Sequence, residues 1–304
     1  MIKDSRNVLK TGFDSNDEVI KLHDEELKHM QRVLLMMLKD FDLIAKKYGI
    51  EYTLSGGSVI GALRHNGFIP WDDDIDINVT RANYEKLKKA YSKYKGQKYS
   101  LYVPEESPGH GMSLPQIKLN DTVYKSFIEL SKADKDCGIC LDIFVIENTY
   151  NNPLLRRLHG IGAFAFGYLL TCLKTYRDME YLRPYLNDKK TYKAFNRKAK
   201  IGRLFSFIKT DTAVRWTIKW FSRCKDNDSK YVTIPSGRGH FFREMCLREE
   251  ITIPKSVRFE NILSYIPTGA DAYMKRLYGD DYMTPPPIDK RESHPIMKLD
   301  FGKY

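Results

Sequence analysis

Apolar residues along the chain switch between a helical period of about 3.6 and a strand period of 2. Residues 17–48 carry them at Val19, Leu22, Leu27, Met30, Val33, Leu34, Met37, Leu38, Phe41, Ile44 and Ala45, one face of a long helix. Ser15, Asn16 and Asp17 can cap its start, and Gly49 after Lys46-Lys47-Tyr48 supplies a stop. A short strand is predicted at 51–54. The turn Ser55-Gly56-Gly57-Ser58 and a short helix at 59–64 follow. A strand at 69–79 and an amphipathic helix at 81–94 come next. Strands are then predicted at 100–103, 116–119, 123–127 and 139–146, with Asn120-Asp121 as a hairpin turn.

From 153 to about 224 the pattern is helical, basic and aromatic. Short strands return at 232–235, 251–253 and 257–259. A helix at 268–278 stops at Gly279, and a Pro-rich tail follows. No internal repeat or low-complexity tract is present. The order predicts an α/β (α+β) fold, a mixed sheet flanked by helices. Residues 1–150 form its core, 151–230 a basic helical insertion or subdomain, and 231–304 a segment that packs back on the core.

Composition changes this picture in three ways. Hydrophobic residues make up 42% of the 304, so a sizeable core can be buried and disorder is excluded as the default. The formal charge is +11, yet residues 151–250 hold 21 Lys and Arg against 9 Asp and Glu, or +12. The excess therefore sits in one segment, as expected for docking on an anionic partner. Arg197, Lys198, Lys200, Arg203 and Lys209, interleaved with Phe195, Leu204, Phe205, Phe207 and Ile208, read as an interfacial amphipathic helix. Nucleic acid ranks low as that partner, because no nucleic-acid-binding signature accompanies the basic stretch. Third, the five cysteines are odd in number and scattered, which argues for a reducing compartment. Cys137-Gly138-Ile139-Cys140 matches CxxC, but it has no second pair and lies in an apolar strand.

The polar start at Met1–Lys10 shows no secretory signal. The longest apolar run, 161–173, is shorter than the roughly 20 residues a span needs. Cytoplasmic placement, peripheral at the inner face of the plasma membrane, is the expectation.

Candidate chemistry begins with Pro70-Trp71-Asp72-Asp73-Asp74-Ile75-Asp76-Ile77. On a strand, alternation puts Asp72, Asp74 and Asp76 on one face and Asp73, Ile75 and Ile77 on the other. Aligned carboxylates repel one another without a counter-cation. Their hard oxygens suit Mg²⁺ or Mn²⁺ rather than zinc. Upstream, Ser55, Gly56, Gly57 and Ser58 lie between a strand and a helix, where backbone N–H groups can cradle a phosphate. Arg64 suits a further phosphate oxygen, and His65 does so more weakly. In Leu141-Asp142-Ile143-Phe144-Val145 a single Asp interrupts an apolar strand, and a charge so placed needs a partner.

The run from Leu54 to His65 followed by Gly67 to Ile77 resembles the signature of the LicD family. That family includes phosphocholine transferases and is similar to the fukutin and fukutin-related ribitol-phosphate transferases. The likeness is dense over about 24–146 and again over about 259–294. It implies a polymerase-β-like nucleotidyltransferase core. It implies Asp74 and Asp76 as paired metal ligands, and Asp142 as a third carboxylate binding metal or taking the acceptor proton. Asp72 would be a helper, and Asp73 a bystander. It also implies a CDP-activated alcohol as donor, CDP-choline favoured, and a glycan or lipid-linked polysaccharide as acceptor. Ribitol- or glycerol-phosphate transfer remains open, as does nucleotide transfer from a nucleoside triphosphate. A non-enzymatic membrane- or polymer-binding module ranks last. Arg291 and His294 would reach over the site from the tail, with Trp71 and Tyr282 as candidate members of an aromatic cage.

Overall fold

A computed structural model describes residues 19–93, 97–291 and 294–304. Helix α1 (Asp24–Tyr48) starts later than its periodicity predicts. Ile20 is instead drawn into a β-bridge with Ile296. The backbone N–H of His23 donates to Glu26 Oε2 at 3.2 Å and so closes the first turn. The expected caps Ser15, Asn16 and Asp17 lie outside the described residues. Gly49 ends the helix in the left-handed region at φ +60°. One face of α1 buries Met30, Val33, Leu34, Met37, Leu38 and Phe41 in the main core.

The chain continues through β1 (Thr53–Leu54), α2 (Gly56–His65), β2 (Asp76–Thr80) and α3 (Arg81–Ser92), then β3 (Tyr99–Tyr102), β4 (Gln116–Leu119), β5 (Val123–Ser126) and β6 (Cys140–Asn148). Three helices follow: α4 (Pro153–Leu182), α5 (Lys189–Leu204) and α6 (Thr210–Phe221). Among the described residues, seven strands form the main sheet. Its path is β1-β2-β6-β4-β3, and β6 also pairs with β7 (Tyr231–Thr233), which pairs with β8 (Cys246–Leu247). β2 and β6 are parallel, and the other pairs are antiparallel. This is the expected mixed sheet flanked by helices. Ile75, Ile77, Leu141 and Ile143 fill the core.

Three local expectations fail for physical reasons. Regular pairing in the 69–79 stretch starts only at Asp76, after a turn at 70–71. Asn120-Asp121 does turn the chain, with Asp121 at φ +61°, but no β4–β5 hairpin forms. Both edges of β4 are already taken by β3 and β6, so β5 pairs with β11 (Ile296–Asp300) at the C-terminus. Residues 251–253 were expected as strand, yet α8 (Arg248–Thr252) reaches Thr252. It follows a one-turn helix, α7 (His240–Arg243). Short apolar runs do not distinguish the two states, and Glu250 accepts the Leu247 N–H at 3.3 Å to start the helical turn. The hairpin β9 (Pro254–Phe259) and β10 (Ile262–Pro267) follows, then α9 (Ala270–Tyr278).

Helices α4–α6 bury a cluster of their own around Leu170, Leu173, Val214 and Phe221. α4 has 30 residues, or about 45 Å at 1.5 Å each. The apolar side of the basic 195–209 stretch is partly taken up by this packing, while Leu204 and Phe207 remain 72% and 81% exposed. Phe195 is buried with Phe127 and Leu186, while Phe205 and Ile208 pack on the α4–α6 cluster. Among the described residues, no helix is long and apolar enough to cross a membrane.

Candidate active site

Asp76 is the first residue of β2, and its register partner on the parallel strand β6 is Asp142. Parallel neighbours in register point to the same face about 4.8 Å apart, so the fold sets two carboxylates side by side. The opposite face of each strand, Ile77 and Ile143, is core, which commits both acids to this side. Asp76 is also stitched to the turn before α2. Its carbonyl accepts the Ser55 N–H at 2.9 Å, and its N–H donates to Ser58 Oγ at 3.0 Å.

Glycine is required at Gly56, and at Gly57 it leaves room for a neighbouring carboxylate. Gly56 lies at φ +47°, and a Cβ there would stand 3.2 Å from Asp76 Oδ2 and 3.3 Å from the Tyr278 hydroxyl. A Cβ on Gly57 would stand 3.0 Å from Asp72 Oδ2. Asp72 and Asp76 therefore both lie against the start of α2, whose positive end favours negative charge. Asp72 itself is fixed through its backbone, with its N–H on Ile69 O at 2.9 Å and its carbonyl held by Gln31 Nε2 at 3.0 Å.

The charges strain against each other. Burial pushes the Asp76 carboxyl well above the usual range, and Asp74, Asp142 and Asp72 push it further. Burial raises Asp142 as well, opposed by a hydrogen bond from Gln116 Nε2 at 2.8 Å and a weak one from Cys140 Sγ at 3.6 Å. His294 supplies local positive charge. Its Nδ1 lies 2.7 Å from Asp73 Oδ1 and its Nε2 3.6 Å from Asp74 Oδ2. Asp73 foremost raises the His294 pKa well above its ordinary value, against burial. The ring is still 50% exposed, so solvent screens the pair.

Asp73 is buried and holds both His294 and the Tyr124 hydroxyl, the latter at 3.3 Å. It anchors the tail, a part its reading as a bystander did not foresee. Arg64 donates to His65 Nε2 at 2.9 Å and to the Tyr282 carbonyl at 3.1 Å. Burial lowers its pKa while Asp72 raises it. Burial, then Arg64, lowers that of His65. Trp71 stands between two guanidiniums, Arg64 at 5.9 Å and Arg291 at 4.0 Å from its ring. The Tyr282 hydroxyl is engaged elsewhere, on Asp271 at 3.0 Å. Arg291 and His294 thus bring the tail across the 71–76 run, while Tyr282 contributes a carbonyl.

Sequence reasoning missed the groups that support the acids. Gln116 lies opposite Asp142 on β4, and the signal available was the alternation of Gln116 and Lys118 with Ile117 and Leu119, which sets two polar side chains on one face. Tyr278 borders Gly56 and carries Arg238 over its ring at 5.0 Å. Arg238 stands between Gly237 and Gly239, a spacing that marks a tight loop. Ser55 Oγ and the Tyr273 hydroxyl share a hydrogen bond of 3.4 Å, and Tyr273 donates to Glu244 at 3.4 Å.

The donor set suits a hard divalent cation. It is all oxygen, it is mutually repulsive, and Gln116 Oε1 is buried beside Asp142 without a hydrogen-bond partner. Among the described residues, no three His, Cys, Asp or Glu side chains already close around one point.

A mixed sheet thus presents paired acids beside a glycine turn at a helix start. Residues 49–151 match the family LicD/FKTN/FKRP, nucleotidyltransferase domain. The lipopolysaccharide cholinephosphotransferase LicD of Haemophilus influenzae is 39% identical over 127 residues, covering 42% of this chain and 46% of that protein. An uncharacterized Rickettsia prowazekii protein is 28% identical over 171 residues, covering 53% of this chain and 54% of its own. The human ribitol 5-phosphate transferase FKRP is 52% identical over 45 residues, covering 14% of this chain and 9% of that protein. The chain spans about half the length of the first two relatives.

Proposed function

We propose that the protein transfers a phospho-alcohol, phosphocholine foremost, from a CDP-activated donor to a hydroxyl of a cell-surface glycan or teichoic acid precursor, releasing CMP. The observation that carries this reading is the in-register pair Asp76 and Asp142 on parallel strands, with Ser55 and Ser58, which flank Gly56-Gly57 at the helix start, hydrogen-bonded to Asp76. The domain match and the likeness to a cholinephosphotransferase and a ribitol-phosphate transferase support it.

Asp74, Asp76 and Asp142 would hold Mg²⁺ or Mn²⁺, which when bound neutralises pyrophosphate oxygens and the charge on departing CMP. The N-terminus of α2 orients a donor phosphate. The acceptor oxygen forms a bond to the phosphorus that carries the alcohol, and the bond from that phosphorus to CMP breaks. Asp142 completes that metal set or receives the acceptor's proton. Arg64 and Arg291, beside Trp71, offer cations to phosphate oxygens. The setting proposed is cytoplasmic. Residues 1–150, 151–230 and 231–304 are proposed as catalytic core, helical subdomain and returning segment.

The test is a donor panel. The protein is incubated with Mg²⁺, a glycan acceptor and CDP-choline, CDP-ribitol, CDP-glycerol or CDP-ethanolamine, and CMP is measured. Release of CMP with CDP-choline, lost in Asp76→Asn, is expected. Pyrophosphate from a nucleoside triphosphate, with no CMP from any donor, refutes the reading.

A further inference from the structure

The helical segment carries a feature that the transfer site does not use. No acidic residue occurs between Glu147 and Asp178, between Asp188 and Asp211, or between Asp211 and Asp226. Those gaps take in the first 25 residues of α4 and most of α5 and α6. Within the first gap, α4 leaves a row of large apolar side chains in solvent. Leu154 is 65% exposed, Leu158 53%, Ile161 52% and Phe164 43%. The first three follow i, i+4, i+7, so they form one stripe on one face. The opposite face, with His159, Ala163 and Leu170, is buried.

α6 borders this stripe. Gly162 meets the Trp220 indole so closely that a Cβ would overlap it, and Trp220 Nε1 donates to the His159 carbonyl at 2.9 Å. One turn earlier on α6, Trp216 is 43% exposed. Exposed cations Arg215, Lys219 and Arg223 lie at i, i+4, i+8 beside the two tryptophans, and Arg157 lies beside the stripe itself. Arg223 stacks on Trp220 at 4.7 Å.

We propose that this face of α4 and α6 docks on the surface of an anionic lipid bilayer. Three features select that occupant. A row of exposed leucine and isoleucine gains nothing from a hydrophilic acidic polymer, but it does gain from insertion below lipid headgroups. Tryptophan and arginine at the rim match the headgroup layer. A second copy of the chain would bring a segment of charge +12 against its own like, which opposes self-association. Neither helix is long and apolar enough to cross, so the face lies on the bilayer.

The experiment is flotation of the full chain with vesicles of phosphatidylcholine alone or mixed with phosphatidylglycerol, at low and high salt. Size-exclusion chromatography with light scattering runs in parallel. The protein is expected to float with the anionic vesicles at low salt and to be released by salt. Leu158→Glu/Ile161→Glu is expected to reduce flotation at least about tenfold with an unchanged circular dichroism spectrum, since both side chains are exposed. Arg215→Ala/Lys219→Ala is expected to weaken it several-fold. Asp76→Asn is expected to float like the parent, which separates this inference from the transfer reaction. Failure of the parent to float with anionic vesicles overturns the proposal. So does equal flotation of the Leu158→Glu/Ile161→Glu variant, or a parent dimer that this variant dissociates.

Discussion

Glu129→Gln probes the strand that supports Asp142. Glu129 is 5% exposed and accepts from Lys132 at 2.9 Å, Ser126 at 3.0 Å and Lys118 at 3.3 Å. Lys118 lies on β4 opposite Cys140, two residues from the Gln116 that bonds Asp142. Burial pushes Glu129 upward, but Lys118 and Lys132 outweigh it and hold the carboxyl at about 2, below its ordinary 4.5. The two lysines respond differently. Lys118 rises through Glu129 despite burial, whereas burial wins at Lys132 and lowers it. The carboxylate is therefore the better measure of the cluster.

A folded value below the unfolded one means stability that is full well above 4.5 and is lost as pH falls toward 2. At 1.36 kcal/mol per unit the difference is worth about 3 kcal/mol at neutral pH, of which roughly 2 kcal/mol is gone by pH 3. Removing the acid also leaves two lysines buried with like charge, so the loss belongs in the range of about 3–5 kcal/mol known for broken buried pairs. Urea unfolding of parent and variant at pH 7 and pH 3 measures it. The variant is expected to be less stable by about 3 kcal/mol or more at pH 7, with the gap narrowing by about 2 kcal/mol at pH 3. A gap that is the same at both pH values, or below about 1 kcal/mol at pH 7, refutes the cluster as an electrostatic support.

Three further substitutions separate fold from function. Burial and three neighbouring acids raise Asp76 above its ordinary range, so its ionised form costs stability at neutral pH, and the cost falls as pH drops below the folded value. Asp76→Asn is expected to raise the melting temperature of the metal-free protein while lowering CMP release by roughly 1,000-fold. A lower melting temperature would contradict the electrostatic account, and retained activity would remove Asp76 from the site. Gly61→Ala places a methyl group onto the Gly67 carbonyl, which is backbone and cannot swing aside. A loss of roughly 1–3 kcal/mol in chemical unfolding is expected. Gly57→Ala meets only the movable Asp72 carboxylate at 3.0 Å, so it is expected to impair turnover more than stability.

Much of the core was legible because period and punctuation agree there. Gly49, Gly279 and the alternation in 139–146 each mark an element that the fold realises. The β5 miss has its cause in tertiary competition for pairing partners. β5 had a turn and a neighbour in sequence, yet β4 had no free edge, and β11 from the far end of the chain took the place. Nothing local in Ile296–Asp300 announces that destination. In the basic 195–209 stretch Phe195, Phe205 and Ile208 are taken into packing while Leu204 and Phe207 stay exposed, and a further exposed stripe lies on α4, a split that a one-dimensional reading does not show.

The aspartate run shows how a local rule can give a correct partition without its stated premise. Residues 72–75 are not in a regular strand. Even so, Asp73, Ile75 and Ile77 are buried while Asp72, Asp74 and Asp76 keep solvent contact, as period 2 requires. An extended backbone suffices for alternation, and a ladder is not needed. The same rule carried a consequence for Asp73. An acid on the inward face is buried, and a buried carboxylate needs partners. Tyr124 and His294 meet that need, and in doing so they fasten the C-terminal tail beside the acids. Asp73 faces away from the catalytic candidates in the sense that alternation predicts, and that inward position is what lets it hold the tail across them.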